Sequence, residues 1–110
     1  MPFLRFKGFE ENCLRRLLPA LVEKFSWAAA VPREIVKIEL LKIIQLSETP
    51  QSLEIYMFPR EQKKHDLIAA TMNELLSAEG FGGVHIFFVL LNPALYYKEG
   101  RPVQDLFWLS

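Results

Sequence analysis

Apolar and charged residues alternate at the start of the chain, with Leu4 and Phe6 set against Arg5 and Lys7. That period of two predicts a strand over the first seven residues, apolar on one face and charged on the other. After Lys7-Gly8 the period lengthens: Leu14, Leu17, Leu18, Leu21, Val22 and Phe25 recur at helical spacing, behind Glu10 and Glu11 at the positive end of the helix. Pro19 removes one helical hydrogen bond, yet the apolar phase runs through it, so one kinked helix is predicted. Ala28 to Pro32 ends it. Alternation resumes from Ile35 to Leu46, predicting a long strand, and Ser47 to Gln51 forms a turn.

The second half repeats the order. Leu53 to Phe58 reads as a strand, and Pro59-Arg60-Glu61-Gln62 opens a helix whose inward stripe is Leu67, Ile68, Thr71, Met72, Leu75 and Leu76. Gly80 stops it in the left-handed position. Val84 to Leu91 is apolar on both faces, which places it centrally or at an interface. Asn92-Pro93 breaks that strand, and Tyr96 to Arg101 reads as a hairpin turning at Gly100. The segment Leu106 to Leu109 is apolar enough to dock on a neighbour.

The predicted fold class is therefore α+β, a single domain over residues 1–110. It consists of duplicated β-α-β units at about 1–46 and 52–91, followed by a hairpin and tail at 92–110. Two helices cover one face of a four-stranded sheet. The other face carries Arg5, Lys7, Lys37, Glu39, Glu54 and Tyr56 among large apolar groups. Such a face is too apolar for free surface and too charged for a core, and it suits a subunit interface.

Composition narrows the function. Thirteen basic residues balance thirteen acidic ones, so no field draws in nucleic acid or an anionic membrane. Apolar residues make up 51% of the chain and aromatics 13%, a surplus for one small core that again implies self-association. The lone Cys13 excludes a disulfide framework, and its helical position favours a small buried hydrophobe. His65 and His85 lack metal-ligand spacing, so no metal site is expected. With no spanning segment and no signal peptide visible, a cytoplasmic location is expected.

One residue carries a chemical possibility. If Met1 is trimmed, Pro2 becomes a secondary amine fixed to a strand end. An α-amino group titrates near ~8, and burial beside apolar groups and cations lowers that value, making it a base at neutral pH. The plain alternative is that proline starts an edge strand because it has no N–H to pair.

Met1-Pro2 followed by a strand, the duplicated β-α-β order and the run Phe58-Pro59-Arg60-Glu61-Gln62-Lys63 resemble the tautomerase superfamily. Its members include 4-oxalocrotonate tautomerase, malonate semialdehyde decarboxylase and macrophage migration inhibitory factor. Pro2-Phe3-Leu4-Arg5-Phe6, Ile38-Glu39-Leu40, Arg60-Glu61-Gln62 and Tyr96-Tyr97-Lys98-Glu99-Gly100 are similar to a bacterial branch of unknown function within it. The resemblance covers residues 1 to about 103. It implies a trimer with sheets lining an inner barrel, active sites at subunit boundaries, and keto–enol tautomerisation or a related decarboxylation of a small carboxylated carbonyl compound. It implies Pro2 as general base without a cofactor, and Arg60 as holder of the substrate carboxylate. Glu39 would polarise a water or hold the amine, and Tyr96 or Tyr97 would donate to an enolate oxygen.

Each residue has a structural alternative. Arg60 can pair with Glu61, Glu39 with Lys37 or Arg5, and both tyrosines can simply pack an interface. Two other readings of the whole chain stand beside the enzyme. One is a non-catalytic binding or assembly protein of the same fold. The other is a ferredoxin-like regulatory domain, in which the first strand would lie beside the third rather than parallel and next to the second.

Overall fold

The computed structural model describes residues 2–103. Strand β1 (Phe3–Lys7) leads into helix α1 (Glu11–Ala29), a 3-10 turn at Arg33–Ile35 and strand β2 (Lys37–Leu41). The second unit is β3 (Ser52–Met57), α2 (Gln62–Ala78) and β4 (His85–Leu90), followed by a 3-10 turn at Pro93–Leu95 and the short pair β5 (Tyr97–Lys98) and β6 (Arg101–Pro102). The sheet order is β2-β1-β3-β4, with β1 parallel to β2, antiparallel to β3, and β3 parallel to β4. Because β1 lies parallel and next to β2, the ferredoxin-like alternative is overturned. The chain instead has a mixed four-stranded sheet, two helices and a terminal hairpin, the arrangement that the resemblance implies.

Register sorts the two faces. Leu4 is level with Ile38 and Ile55, and Phe6 with Leu40 and Leu53, so alternation puts them all on one side. There they meet Leu14, Leu17, Leu21 and Phe25 of α1 and Ile68, Met72 and Leu76 of α2 in one core. Pro19 sits inside a single continuous helix and is exposed, as is Leu18. The stripe of α2 is phased a little differently from the predicted one. His65, Ile68, Met72 and Leu76 are buried, while Leu67 faces outward.

One strand expectation needs correction, and a second is narrowed to one of its two alternatives. The strand expected from Ile35 to Leu46 is paired only from Lys37 to Leu41. Strand β1 ends at Lys7, opposite Leu41, and turns at Gly8 with φ 87°. An extended segment beyond that point has no ladder partner, and Ile44 and Leu46 are 88% and 97% exposed. Likewise β4 is not central in the chain: it forms an edge, with Phe87 and Leu90 exposed. The hairpin is as expected. Glu99 and Gly100 both have positive φ, the geometry of a tight two-residue turn. The apolar segment 106–109 lies outside the described residues, as does Met1.

The ends of the helices differ. At α1 the Glu10 carboxylate accepts the N–H groups of Asn12 and Cys13 at 3.1 and 3.0 Å. Hydrogen bonding from the Cys13 side chain and these backbone groups holds the Glu10 carboxyl below the usual glutamate range. Cys13 itself is only half-buried. At α2 the equivalent Glu61 makes no side-chain cap bond.

Candidate active site

Pro2 opens β1 with its ring buried, and its carbonyl accepts the Lys37 N–H at 3.0 Å. This bond fixes the residue to the start of β2, and the missing prolyl N–H leaves no ladder bond unmade. Because Phe3 is level with Tyr56 on the antiparallel β3, Pro2 stands at the end of the sheet where β3 runs out. From there the chain turns through Phe58 and Pro59 to Arg60. Two residues far apart in sequence thus share one end of the sheet.

Arg60 is held at two points. Its backbone N–H donates to Nε2 of His65 at 3.1 Å, and its guanidinium Nη1 donates to the carbonyl of Ala29 at 3.1 Å. That carbonyl belongs to the last turn of α1, where carbonyls lack helical partners and no basic side chain is present. A cation there also meets the negative end of the helix dipole. Among the described residues Arg60 forms no ion pair with Glu61. One of the five guanidinium N–H donors is engaged with Ala29, and four remain for a planar anion.

The other expected site residues divide. Tyr96 packs edge-on against Phe58, with ring centroids 5.8 Å apart, which brings it to the Pro2 end of the sheet. Tyr97 stands exposed on β5. Glu39 lies on the helix-free face two residues inward along β2, where its Oε1 is 3.1 Å from Nε of Arg5. Lys37 instead donates to the Glu34 carbonyl. So Glu39 is in the ion pair that sequence reasoning kept as its alternative, and the partner is Arg5.

On that face Glu54 is the centre of charge. Nζ of Lys7 is 2.7 Å from its Oε2, the Tyr56 hydroxyl donates to its Oε1 at 3.1 Å, and the Arg5 guanidinium lies 4.8 Å from the Tyr56 ring centroid. The Lys7 hydrogen bond holds the Glu54 carboxyl below the usual glutamate range. Burial opposes this, while Tyr56 and the charges of Lys7 and Arg5 add to it. The pattern placed Glu54 on this face but did not mark it as the hub.

Sequence reasoning also missed His65. It was weighed only as a metal ligand, although a histidine on the buried stripe with Ile68 and Met72 must find a polar partner or leave one wanting. Among the described residues no cluster of three or more histidine, cysteine or acidic side chains could hold a metal. Two surface grooves lie elsewhere. One of 280 Å³ is lined by Leu14, Leu18, Ile38 and Leu40 with charged neighbours, and one of 640 Å³ runs between the helices beside Trp27 and Leu67. Neither includes Pro2 or Arg60.

Comparison with known proteins adds the lineage. A family model described as a domain of unknown function, DUF1904, matches residues 1–102. The chain belongs to that family. No curated protein matches the sequence. Among solved structures, a protein of unknown function from Vibrio cholerae is 24% identical, with a TM-score of 0.83 over 92% of this chain and 86% of that one. Malonate semialdehyde decarboxylase, described for its decarboxylase and hydratase activities, is 17% identical, with a TM-score of 0.76 over 98% and 99% of the two chains. A wild-type fused 4-OT that forms an asymmetric trimer is 16% identical, with a TM-score of 0.79 over 94% and 98%. The DUF1904 chain therefore shares its fold with the tautomerase superfamily. Among its described residues no helix is long and apolar enough to cross a membrane.

Proposed function

We propose that this DUF1904 protein is a tautomerase-like enzyme acting on a small carboxylated carbonyl compound, with Pro2 as general base once Met1 is removed. The observation that carries the reading is the shared end of the sheet. Pro2 is buried and pinned through its carbonyl to Lys37, and Arg60 emerges from the adjacent turn. An uncharged prolyl amine takes a proton from the substrate's enol hydroxyl or α-carbon and returns it at the other position, so the reaction is a net isomerisation. Arg60 binds the carboxylate through its paired N–H groups, and its charge favours the neutral amine. No cofactor enters this chemistry. In this reading Tyr96, packed against Phe58, is a second donor, whereas Glu39 and Tyr97 play supporting parts in assembly.

The working unit in this reading is a homotrimer. The helix-free face is covered by neighbouring copies, and its charges are already matched in pairs, Arg5 with Glu39 and Lys7 with Glu54. Exposed Ile44, Leu46, Phe87 and Leu90 at the two sheet edges are covered in the same way.

The test begins with the intact mass of protein purified from its native cell, which is expected to lack the initiator methionine. Ketonisation of phenylenolpyruvate or hydroxymuconate is expected to fall at least about a hundredfold in Pro2→Ala, the usual contribution of a positioned base. Equal rates in the two proteins would remove the enzymatic reading. The hydrogen bond from Arg60 to Ala29 favours the second reading, a non-catalytic assembly protein in which Arg60 only caps α1. That reading expects a retained Met1 and loss of stability, without loss of turnover, in Arg60→Ala.

A further inference from the structure

Behind Arg60 lies a buried imidazole whose environment is more specific than packing requires. His65 is 8% exposed, on the stripe of α2 that faces the core, and its ring meets Phe88 of β4 edge-on at 4.5 Å. Its Nε2 accepts the Arg60 N–H at 3.1 Å, while its Nδ1 is buried without a hydrogen-bond partner among the described residues. A nitrogen that accepts carries no proton, so the ring is uncharged and its proton is on Nδ1. An aliphatic residue would fill this place without leaving a buried N–H unmatched. The helix start gives the reason for the exception. Glu61 makes no side-chain cap, so the imidazole is the side chain that secures the turn from which the guanidinium projects.

The geometry points to His65 as a positioning residue for Arg60. Its Nδ1-protonated ring grips the Arg60 backbone from the core side and thereby sets where the guanidinium meets a carboxylate. Nothing in this role needs His65 to touch substrate. The inference rests on the reading of Arg60 as the carboxylate holder, and it separates two functions between positions five apart: Arg60 binds, and His65 fixes the direction of binding. Displacement of a binding group by about an ångström is enough to cost up to about a hundredfold in rate.

Long-range proton–nitrogen NMR of the full-length protein tests the tautomer without any activity. The expected spectrum has His65 uncharged and protonated at Nδ1, with the Arg60 amide protected from solvent exchange. A ring protonated at Nε2, or a charged ring at neutral pH, overturns the proposal. Side-chain shape provides the second arm. In His65→Gln the amide oxygen reaches roughly where Nε2 stands and can accept the same N–H, whereas in His65→Leu it cannot. The Michaelis constant for a carboxylated enol is expected to rise about tenfold in His65→Leu and to stay within about twofold of wild type in His65→Gln, with kcat little changed in both. Equal Michaelis constants in His65→Leu and wild type would overturn the positioning role while leaving Pro2 chemistry standing. If wild type shows no turnover but phenylpyruvate still shifts the Arg60 guanidinium resonance, and does so only weakly in His65→Leu, the positioning role holds and the tautomerase reading fails.

Discussion

The two β-α-β units put equivalent residues at opposite ends of the sheet and use them differently. The residue before each helix cap is Phe9 in the first unit and Arg60 in the second, and each reaches the far end of the other unit's helix. Phe9 packs edge-on against Phe6 and against Phe81 just beyond α2, with centroids 5.3 and 5.2 Å apart. Arg60 donates to Ala29 at the end of α1. The strand starts correspond too: Pro2 accepts the Lys37 N–H, and Gln51 accepts the His85 N–H. One corner is therefore closed by three aromatic rings, while the other presents a proline, a guanidinium and a buried imidazole. A duplicated topology provides two matched corners, and side-chain choice closes one with aromatic rings and lines the other with polar groups.

Breaking the closed corner should have the largest effect on stability. Phe9→Ala is expected to cost about 3 kcal/mol, as for other buried phenylalanine truncations, read from urea midpoints, because both ring contacts are lost. Making the corners alike comes next. Arg60→Phe is expected to weaken carboxylate binding about tenfold or more, as loss of a charge-assisted pair does, while unfolding free energy moves by less than about 1 kcal/mol. A larger stability loss with unchanged binding would make the guanidinium a helix cap only.

The helix ends offer a reciprocal pair. α1 ends with Ala30 in the left-handed region at φ 57°, and α2 ends ahead of Gly80 at φ 91°. In each case a backbone bond spans the end, Val31 N–H to Ser26 and Phe81 N–H to Leu76. Side chains with a Cβ are penalised there. Ala30→Gly is expected to stabilise by about 1 kcal/mol and Gly80→Ala to destabilise by about the same amount, both measured by thermal unfolding.

The smallest expected effect concerns what joins the units on the helix-free face. Glu54 of the second unit is lowered in pKa chiefly by Lys7 of the first. Its contribution is then fully present above the ordinary glutamate range and disappears as pH falls through the lowered folded value. The drop in urea midpoint from neutral to acid pH is expected to be shallower in Glu54→Gln than in wild type.

Much of this was legible in the residues. Period two in β1 and β3, period 3.6 in both helices, Gly80 as a stop and Gly100 in a turn are local signals, because they report which way each side chain faces and which φ each backbone can adopt. The length of β2 was not legible: Ile43, Ile44 and Leu46 keep a strand's apolar character, but pairing ends where β1 turns at Gly8. Phe87 and Leu90 left two places open for their strand, central or at an interface, and only the sheet order set β4 at an edge. The place of Glu39 on the charged face offered an ion pair with Lys37 or Arg5, and only the folded register put it beside Arg5.

Sequence alone determined the elements, their order and the duplication, because covalent spacing and side-chain polarity are intrinsic to the chain; the interest in Arg60 beside Pro2 came from the resemblance to the tautomerase superfamily. Tertiary structure decided which partner each polar group meets: Arg60 with Ala29 rather than Glu61, Glu54 with Lys7, and His65 with the Arg60 backbone. Those choices depend on distances between segments 31 to 47 residues apart for the first two, and for the third on the turn that folds a helix start back over its own first residues. A linear pattern carries polarity and period but not the approach of one segment to another, and hydrogen bonds are made only at that approach.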